Sequence, residues 1–197
     1  LQSIVMPDSV TTIGESAFIG CTSLKSITIP DSVTEIRNGL FIRCTSLTSI
    51  TIPDSVTEIG GAAFNRCTSL TSITIPDGVT KIDDKAFRGC TALTSITIPD
   101  SVTHIGEDAF SECSSLTQVI CNNPDLFTDH NIQNRDQIQF ISTTDYFNDN
   151  YQDLLNTIEN SGFNANHVSS KELNLIIKLH QEDSHPCLLY TSDAADD

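Results

Sequence analysis

CTSLTSITIPDSVTEIGGAAFNR, residues Cys44 to Arg66, is followed without a gap by CTSLTSITIPDGVTKIDDKAFRG, residues Cys67 to Gly89. The second is a near copy of the first, so the chain repeats with a period of 23 residues. Extending that period in both directions puts Leu1, Leu24, Leu47, Leu70, Leu93 and Leu116 in one column. Ile13, Ile36, Ile59, Ile82 and Ile105 form a second column, and Phe18, Phe41, Phe64, Phe87 and Phe110 a third. A fixed period of roughly 20 to 50 residues marks a solenoid.

Within one unit, Leu47, Ile50 and Ile52 give the pattern L-x-x-I-x-I, which turns Ile50 and Ile52 to one face of a short strand and Ser49 and Thr51 to the other. Pro53 has no N–H for a ladder and ends the strand; Asp54 and Ser55 are turn formers. Val56 and Ile59 then return apolar groups to the interior at a spacing of three, and Ala63, Phe64 and Cys67 complete the fill. That spacing points to a short helical or 3₁₀ turn on the convex side. Gly14, Gly60 and Gly106 share a column with Arg37 and Asp83, so that position does not demand a positive φ.

The motif L-x-x-I-x-I-P-x-x-V-x-x-I-G-x-x-A-F-x-x-C resembles the leucine-rich repeat of the BspA-like, or Treponema pallidum type, class. It covers about residues 1–120, five full units and a sixth strand. The resemblance implies a right-handed α/β solenoid with a parallel sheet on its concave face. It also implies a family of bacterial and protist surface proteins used in adhesion and protein recognition, with no catalytic residues to carry over.

On the expected concave face, the outward strand positions are Ser26 and Thr28, Ser49 and Thr51, Ser72 and Thr74, and Ser95 and Thr97, followed by Gln118 and Ile120. These hydroxyls make a nearly uncharged surface, and the first eight are the candidate partner-binding residues. Net charge is −16, divided as −6 over residues 1–120, −7 over 121–186 and −3 over 187–197. No segment is basic, which excludes nucleic acid and anionic lipid as electrostatic partners. No apolar run is long enough to cross a bilayer, so no membrane insertion is expected. The chain opens on Leu1, already in strand register and without a polar cap, so the sequence reads as a fragment whose signal peptide would lie upstream.

Coil six fades: Cys121 takes an isoleucine position and Asn122 the proline position. Ile138 and Ile141 fall 22 residues after Leu116 and Val119, so residues 1–142 read as the solenoid, with a last strand near Gln137 to Ser142. Residues 143–186 read as a two-helix cap or the start of a second domain, with one helix over 149–160 and another over about 170–181. Residues 187–197, CLLYTSDAADD, resemble a translated sequencing-library adapter and read as a non-native tail.

Five cysteines, Cys21, Cys44, Cys67, Cys90 and Cys113, repeat at 23 and stack in parallel. Zinc needs ligands that converge on one point, so the column reads as buried thiols filling a core slot, and it leaves the redox compartment undecided. Asp8, Asp31, Asp54, Asp77 and Asp100 form a carboxylate column; calcium takes such oxygens, but Pro-Asp-Ser at a strand exit is also ordinary turn chemistry. The five histidines share no converging spacing, and there is no nucleophile motif or phosphate loop. No metal or cofactor is expected. The resulting expectation is a non-catalytic module, extracellular or at the cell surface, that binds a protein or another surface macromolecule. The rival readings are a targeting arm for a secreted effector or enzyme whose catalytic part lies beyond residue 186, and a spacer without a ligand.

Overall fold

A computed structural model of the chain describes residues 2–149. In chain order the strands are β1 (Ser3–Val5), β2 (Ser26–Thr28), β3 (Glu35–Ile36), β4 (Glu58–Ile59), β5 (Lys81–Ile82), β6 (Ser95–Thr97), β7 (His104–Ile105) and β8 (Gln118–Ile120). Two 3₁₀ turns, Pro124–Leu126 and Arg135–Gln137, then lead into β9 (Gln139–Ile141) and helix α1 (Thr143–Asp149). Contacts divide the chain into two compact units, Leu1–Tyr146 and Phe147–Asp197. The first is a parallel-strand solenoid of about six turns.

Every strand pair is parallel, and through the full repeats each register steps by 23 residues, as in Ser3↔Ser26 and Ser95↔Gln118. Thr28, Thr51 and Thr74 carry the Ser-Ile-Thr ladder through coils two to four as single bridges. A second, four-stranded ladder runs β3-β4-β5-β7 along the Val-x-x-Ile segment. Between the ladders lies one continuous core. Leu24, Leu47, Leu70 and Leu93 are fully buried and Leu116 nearly so, all in the same cluster; Leu1 lies outside the described residues. Phe18, Phe41, Phe64, Phe87 and Phe110 stack face to face with centroids 5.3–5.5 Å apart and ring planes within 17°. That spacing is set by the backbone ladder, so stacked rings fit a parallel sheet without adjustment.

The convex turn follows from backbone accounting. In residues 62–67, alternate N–H groups point in different directions. Ala63, Asn65 and Cys67 donate three residues back, to Gly60, Ala62 and Phe64, as in a 3₁₀ turn. Ala62, Phe64 and Arg66 donate instead to the next coil, to Asp84, Ala86 and Arg88, at 2.7–2.8 Å. The expected 3₁₀ turn is therefore half turn and half ladder. Two left-handed residues per coil make the alternation feasible: Ser16, Gly39, Ala62, Lys85 and Asp108 in one column, and Gly20, Arg43, Arg66, Gly89 and Glu112 in the other, all at φ between 55° and 74°. Most are not glycine, so the repeat sequence conceals them. The Gly60 column is a different case. It has no positive φ, but a Cβ at Gly60 would lie 2.8 Å from Ile36 O and Asn38 N of the coil before.

One reading of the last coil needs correcting. β9 pairs with β8 as Val119↔Phe140 and Ile120↔Ile141, a step of 21 rather than 22, so Phe140 takes the place given to Ile141. In the same coil Phe127 continues the file of rings, tilted, 5.7 Å from Phe110 and six residues early for the period. A helix also begins at Thr143, ahead of the helix expected over 149–160. Ser142 caps it: its Oγ accepts from Asp145 N at 3.0 Å, as an N-cap serine does, and donates to Asp145 Oδ2 at 2.7 Å. The helices expected beyond residue 149, and the tail 187–197, lie outside the described residues.

Phe64→Ala removes a fully buried ring from the middle of the stack and is expected to cost about 3–5 kcal/mol in urea unfolding. Lys85→Gly relieves an exposed left-handed lysine at φ 58°. Relief of that backbone strain exceeds the added chain entropy of glycine, so the same measurement is expected to show a gain of about 0.5–1 kcal/mol.

Candidate functional site

The Ser-Ile-Thr ladder places its inward isoleucines, Ile27, Ile50, Ile73 and Ile96, in the core and turns its hydroxyls out. Ser26, Thr28 and Thr51 are exposed, and Ser49, Ser72, Thr74 and Ser95 are half-buried. No ionisable group interrupts this column. Thr97 departs from the expectation: it is 4% exposed and so is not part of an open face. Its ladder neighbour Ile120 is fully buried yet stands outside the solenoid core cluster, and Ile141 follows in register. From coil five onward the threonine-side column turns apolar, with Ile120 covered and Ile141 half-buried, while the serine-side column stays polar through Gln118 and the exposed Gln139. The hydroxyl-lined part of the open face therefore runs from coil two to the Ser95 position, with Val5 beyond it in coil one 78% exposed.

The β3-β4-β5-β7 ladder forms a second outward column that the sequence reading missed. Glu35, Glu58, Lys81 and His104 stand in register on it, flanked by exposed Thr34, Thr57, Thr80 and Thr103. The available signal was the polar pair, Thr-Glu, Thr-Lys or Thr-His, that recurs before the isoleucine in coils two to five; the three-residue spacing of Val and Ile hid it. This column is charged, and Glu35 and Lys81 each pair with a side chain two residues on. Lys81 Nζ lies 3.1 Å from Asp83 Oδ2, and that hydrogen bond with its charge raises the lysine pKa. Partial burial works against ionisation of Asp83, but the Asp84 N–H and the Lys81 ammonium outweigh it and hold the carboxyl below its ordinary value. Arg37 Nε reaches Glu35 Oε2 at 3.4 Å.

The cysteine column meets a specific acceptor. Cys44, Cys67, Cys90 and Cys113 each donate S–H to the phenylalanine carbonyl 26 residues earlier, Phe18, Phe41, Phe64 and Phe87, at 3.1–3.2 Å. Those carbonyls also accept the N–H of the cysteine three residues on, so both lone pairs are used. Cys44, Cys67 and Cys90 are buried, and Cys21 and Cys113 half-buried. Burial pushes the thiol of Cys44 up to about 11 and those of Cys67 and Cys113 up to about 12. The slot suits a small apolar side chain carrying one weak donor.

Along the carboxylate column, the turn geometry is regular: the N–H groups of Val33, Val56, Val79 and Val102 each close on the proline carbonyl three residues back at 3.0–3.1 Å. Among the described residues no three His, Cys, Asp or Glu side chains converge as a metal site would require. Nor is any helix among them long and apolar enough to cross a membrane.

A family model described as the BspA type leucine rich repeat region matches the chain over residues 1–117 and 63–181, in six copies. Among solved structures, the chain is 34% identical to a leucine-rich repeat protein of T. pallidum, covering 60% of this chain and 58% of that one with a TM-score of 0.58. It is 31% identical to a leucine-rich repeat protein from Bacteroides ovatus, covering 72% of this chain and 39% of the other, again with a TM-score of 0.58. The pneumococcal vaccine antigen PcpA, at 18% identity, shares the fold with a TM-score of 0.65 over 77% of this chain and 38% of PcpA. The chain thus spans less than two thirds of the length of each of these proteins. No curated protein matches it.

Thiols held neutral by burial make stability depend on pH. Their folded pKa values lie above the ordinary value of 9.0, so in the alkaline range the unfolded state binds fewer protons than the native one. Their contribution is complete below pH 9.0 and is lost as pH rises toward about 12. Urea midpoints are expected to fall steadily above pH 9, and Cys67→Ser is expected to make that fall shallower.

Proposed function

The chain belongs to the BspA-type leucine-rich repeat family, and from that premise we propose that it is a non-catalytic recognition module whose open Ser/Thr ladder binds a protein or another surface macromolecule outside the cell. Solenoids of this kind are typically protein-interaction modules, and their extended surfaces serve contacts spread over several repeats. The observation that supports the ladder face in particular is the column Ser26, Thr28, Ser49, Thr51, Ser72, Thr74 and Ser95, which lies in register with no charge along it. Each hydroxyl both donates and accepts, and it sits on a backbone fixed by its neighbours. Ordering such a face on binding costs little side-chain entropy, because Ser and Thr have few rotamers to lose. Adhesion at a cell surface is the setting the family resemblance implies, and it forms part of the proposal.

The test uses the full chain immobilised on beads and epithelial cell-surface extract as the probe mixture. Three proteins are compared: the unaltered chain, Ser49→Arg with Ser72→Arg on the ladder face, and Thr57→Arg with Thr80→Arg on the charged face. Bands retained by the first and third but lost with the second are the expected result. Retention by all three, or equal loss from both variants, overturns the assignment of this face.

A further inference from the structure

In the regular coils, the turn after the Ser-Ile-Thr strand is covered by its counterpart in the next coil. The serine hydroxyl makes the join, as in Ser55 Oγ to Val33 O and Ser101 Oγ to Val79 O, both at 2.6 Å. Coil six breaks this pattern. Cys121, Asn122, Asn123 and Pro124 stand where Ile, Pro, Asp and Ser recur, and the chain leaves the stack into the 3₁₀ turn Pro124–Leu126. The turn Pro99–Val102, with Pro99 and Val102 buried and Asp100 exposed as at the matching positions of coil three, borders a cleft of about 350 Å³ that is also lined by Ile98 and the half-buried Leu126. Asp100 and Asn122 stand in its polar lining.

That lining is held in place. Asn122 Nδ2 donates to both carboxylate oxygens of Asp100, at 3.0 and 3.2 Å. Asn122 Oδ1 in turn accepts from the N–H and the hydroxyl of Thr143 at the start of α1, at 3.1 and 3.0 Å. A relay of hydrogen bonds therefore orients one carboxylate beside an apolar cavity, leaving further lone pairs for an incoming donor.

We propose that this cleft receives an arginine side chain of a partner protein, with the aliphatic stem against Pro99, Val102 and Leu126 and the guanidinium on Asp100. An anion is excluded by Asp100 and by the net charge of −16. A neutral apolar group would fill the walls but leave the carboxylate without a counter-charge. A compact ammonium holds its water more strongly, whereas a guanidinium is planar, weakly hydrated and shaped for a carboxylate. The nearby Arg135 does not serve this role: its Nε donates to Phe127 O at 2.9 Å and its guanidinium lies 5.0 Å from the Phe140 ring. The cleft uses no residue of the ladder face and is independent of the function proposed for it.

The probe is n-butylguanidinium, titrated into the full 197-residue chain while backbone amide resonances are followed by NMR, with guanidinium ion and 1-pentanol as controls. Saturating shifts centred on Val102, Asn122 and Leu126 are expected with n-butylguanidinium. Asp100→Asn is expected to weaken that binding about fivefold, Asn122→Ala less, and Asp54→Asn in the same column of a regular coil not at all. The assignment is overturned if no shift saturates, if Asp100→Asn binds as the unaltered chain does, or if either control binds as tightly as n-butylguanidinium.

Discussion

No coil of this protein can satisfy its own backbone. In each convex turn every second N–H finds an acceptor three residues back, and the ones between find theirs only in the following coil. A buried donor without a partner costs on the order of 1–3 kcal/mol, so a coil removed from the stack would lose several such bonds at once. The side-chain columns follow the same rule. Phenylalanine rings lie on rings, and each thiol closes on a carbonyl one coil back, so the neighbours complete what the unit lacks. This is why the two left-handed columns persist with alanine, arginine and lysine in them: the ladder bonds they permit outweigh the strain of each position.

A stack that depends on neighbours needs special chemistry where the neighbours end. At the last coil, side chains replace missing backbone. Gln133 Oε1 accepts the Glu112 N–H at 3.3 Å, in the place where the next carbonyl of the ladder would stand. Asn131, buried, donates to Leu126 O at 2.7 Å and to Ile105 O at 3.4 Å while accepting from Thr128 N at 2.9 Å. Arg135 ties the same loop to Phe127 O and lies over Phe140. On the Ser-Ile-Thr ladder the regular coils give an even surface, each position closely matched by its neighbours. Distinct chemistry, including the cleft beside Asp100, arises where coil six departs from the period.

Much of this was legible in residues 1–120. The period, the inward set and the strand-ending proline follow from L-x-x-I-x-I-P, and the structure places Leu24 to Leu116, Ile13 to Ile105 and the phenylalanine stack within one core. Alternation alone gave the outward strand positions, and seven of the eight candidates, Ser26, Thr28, Ser49, Thr51, Ser72, Thr74 and Ser95, are exposed or half-buried. Thr97 was misread because its exposure is decided by Ile120 and Ile141, which are distant in sequence and adjacent only through the ladder. The β3-β4-β5-β7 ladder was missed because a two-residue strand leaves almost no alternation to read.

The amino-acid sequence alone determined that this chain is a solenoid of 23-residue coils, because a periodic arrangement of apolar groups has few other ways to bury them all. Only the tertiary structure decided where the repetition gives way. The 21-residue step into β9, the early arrival of Phe127 and the Asn122–Asp100 contact result from packing across coils, where a side chain's partner is set by the layer beside it and not by the residues on either side.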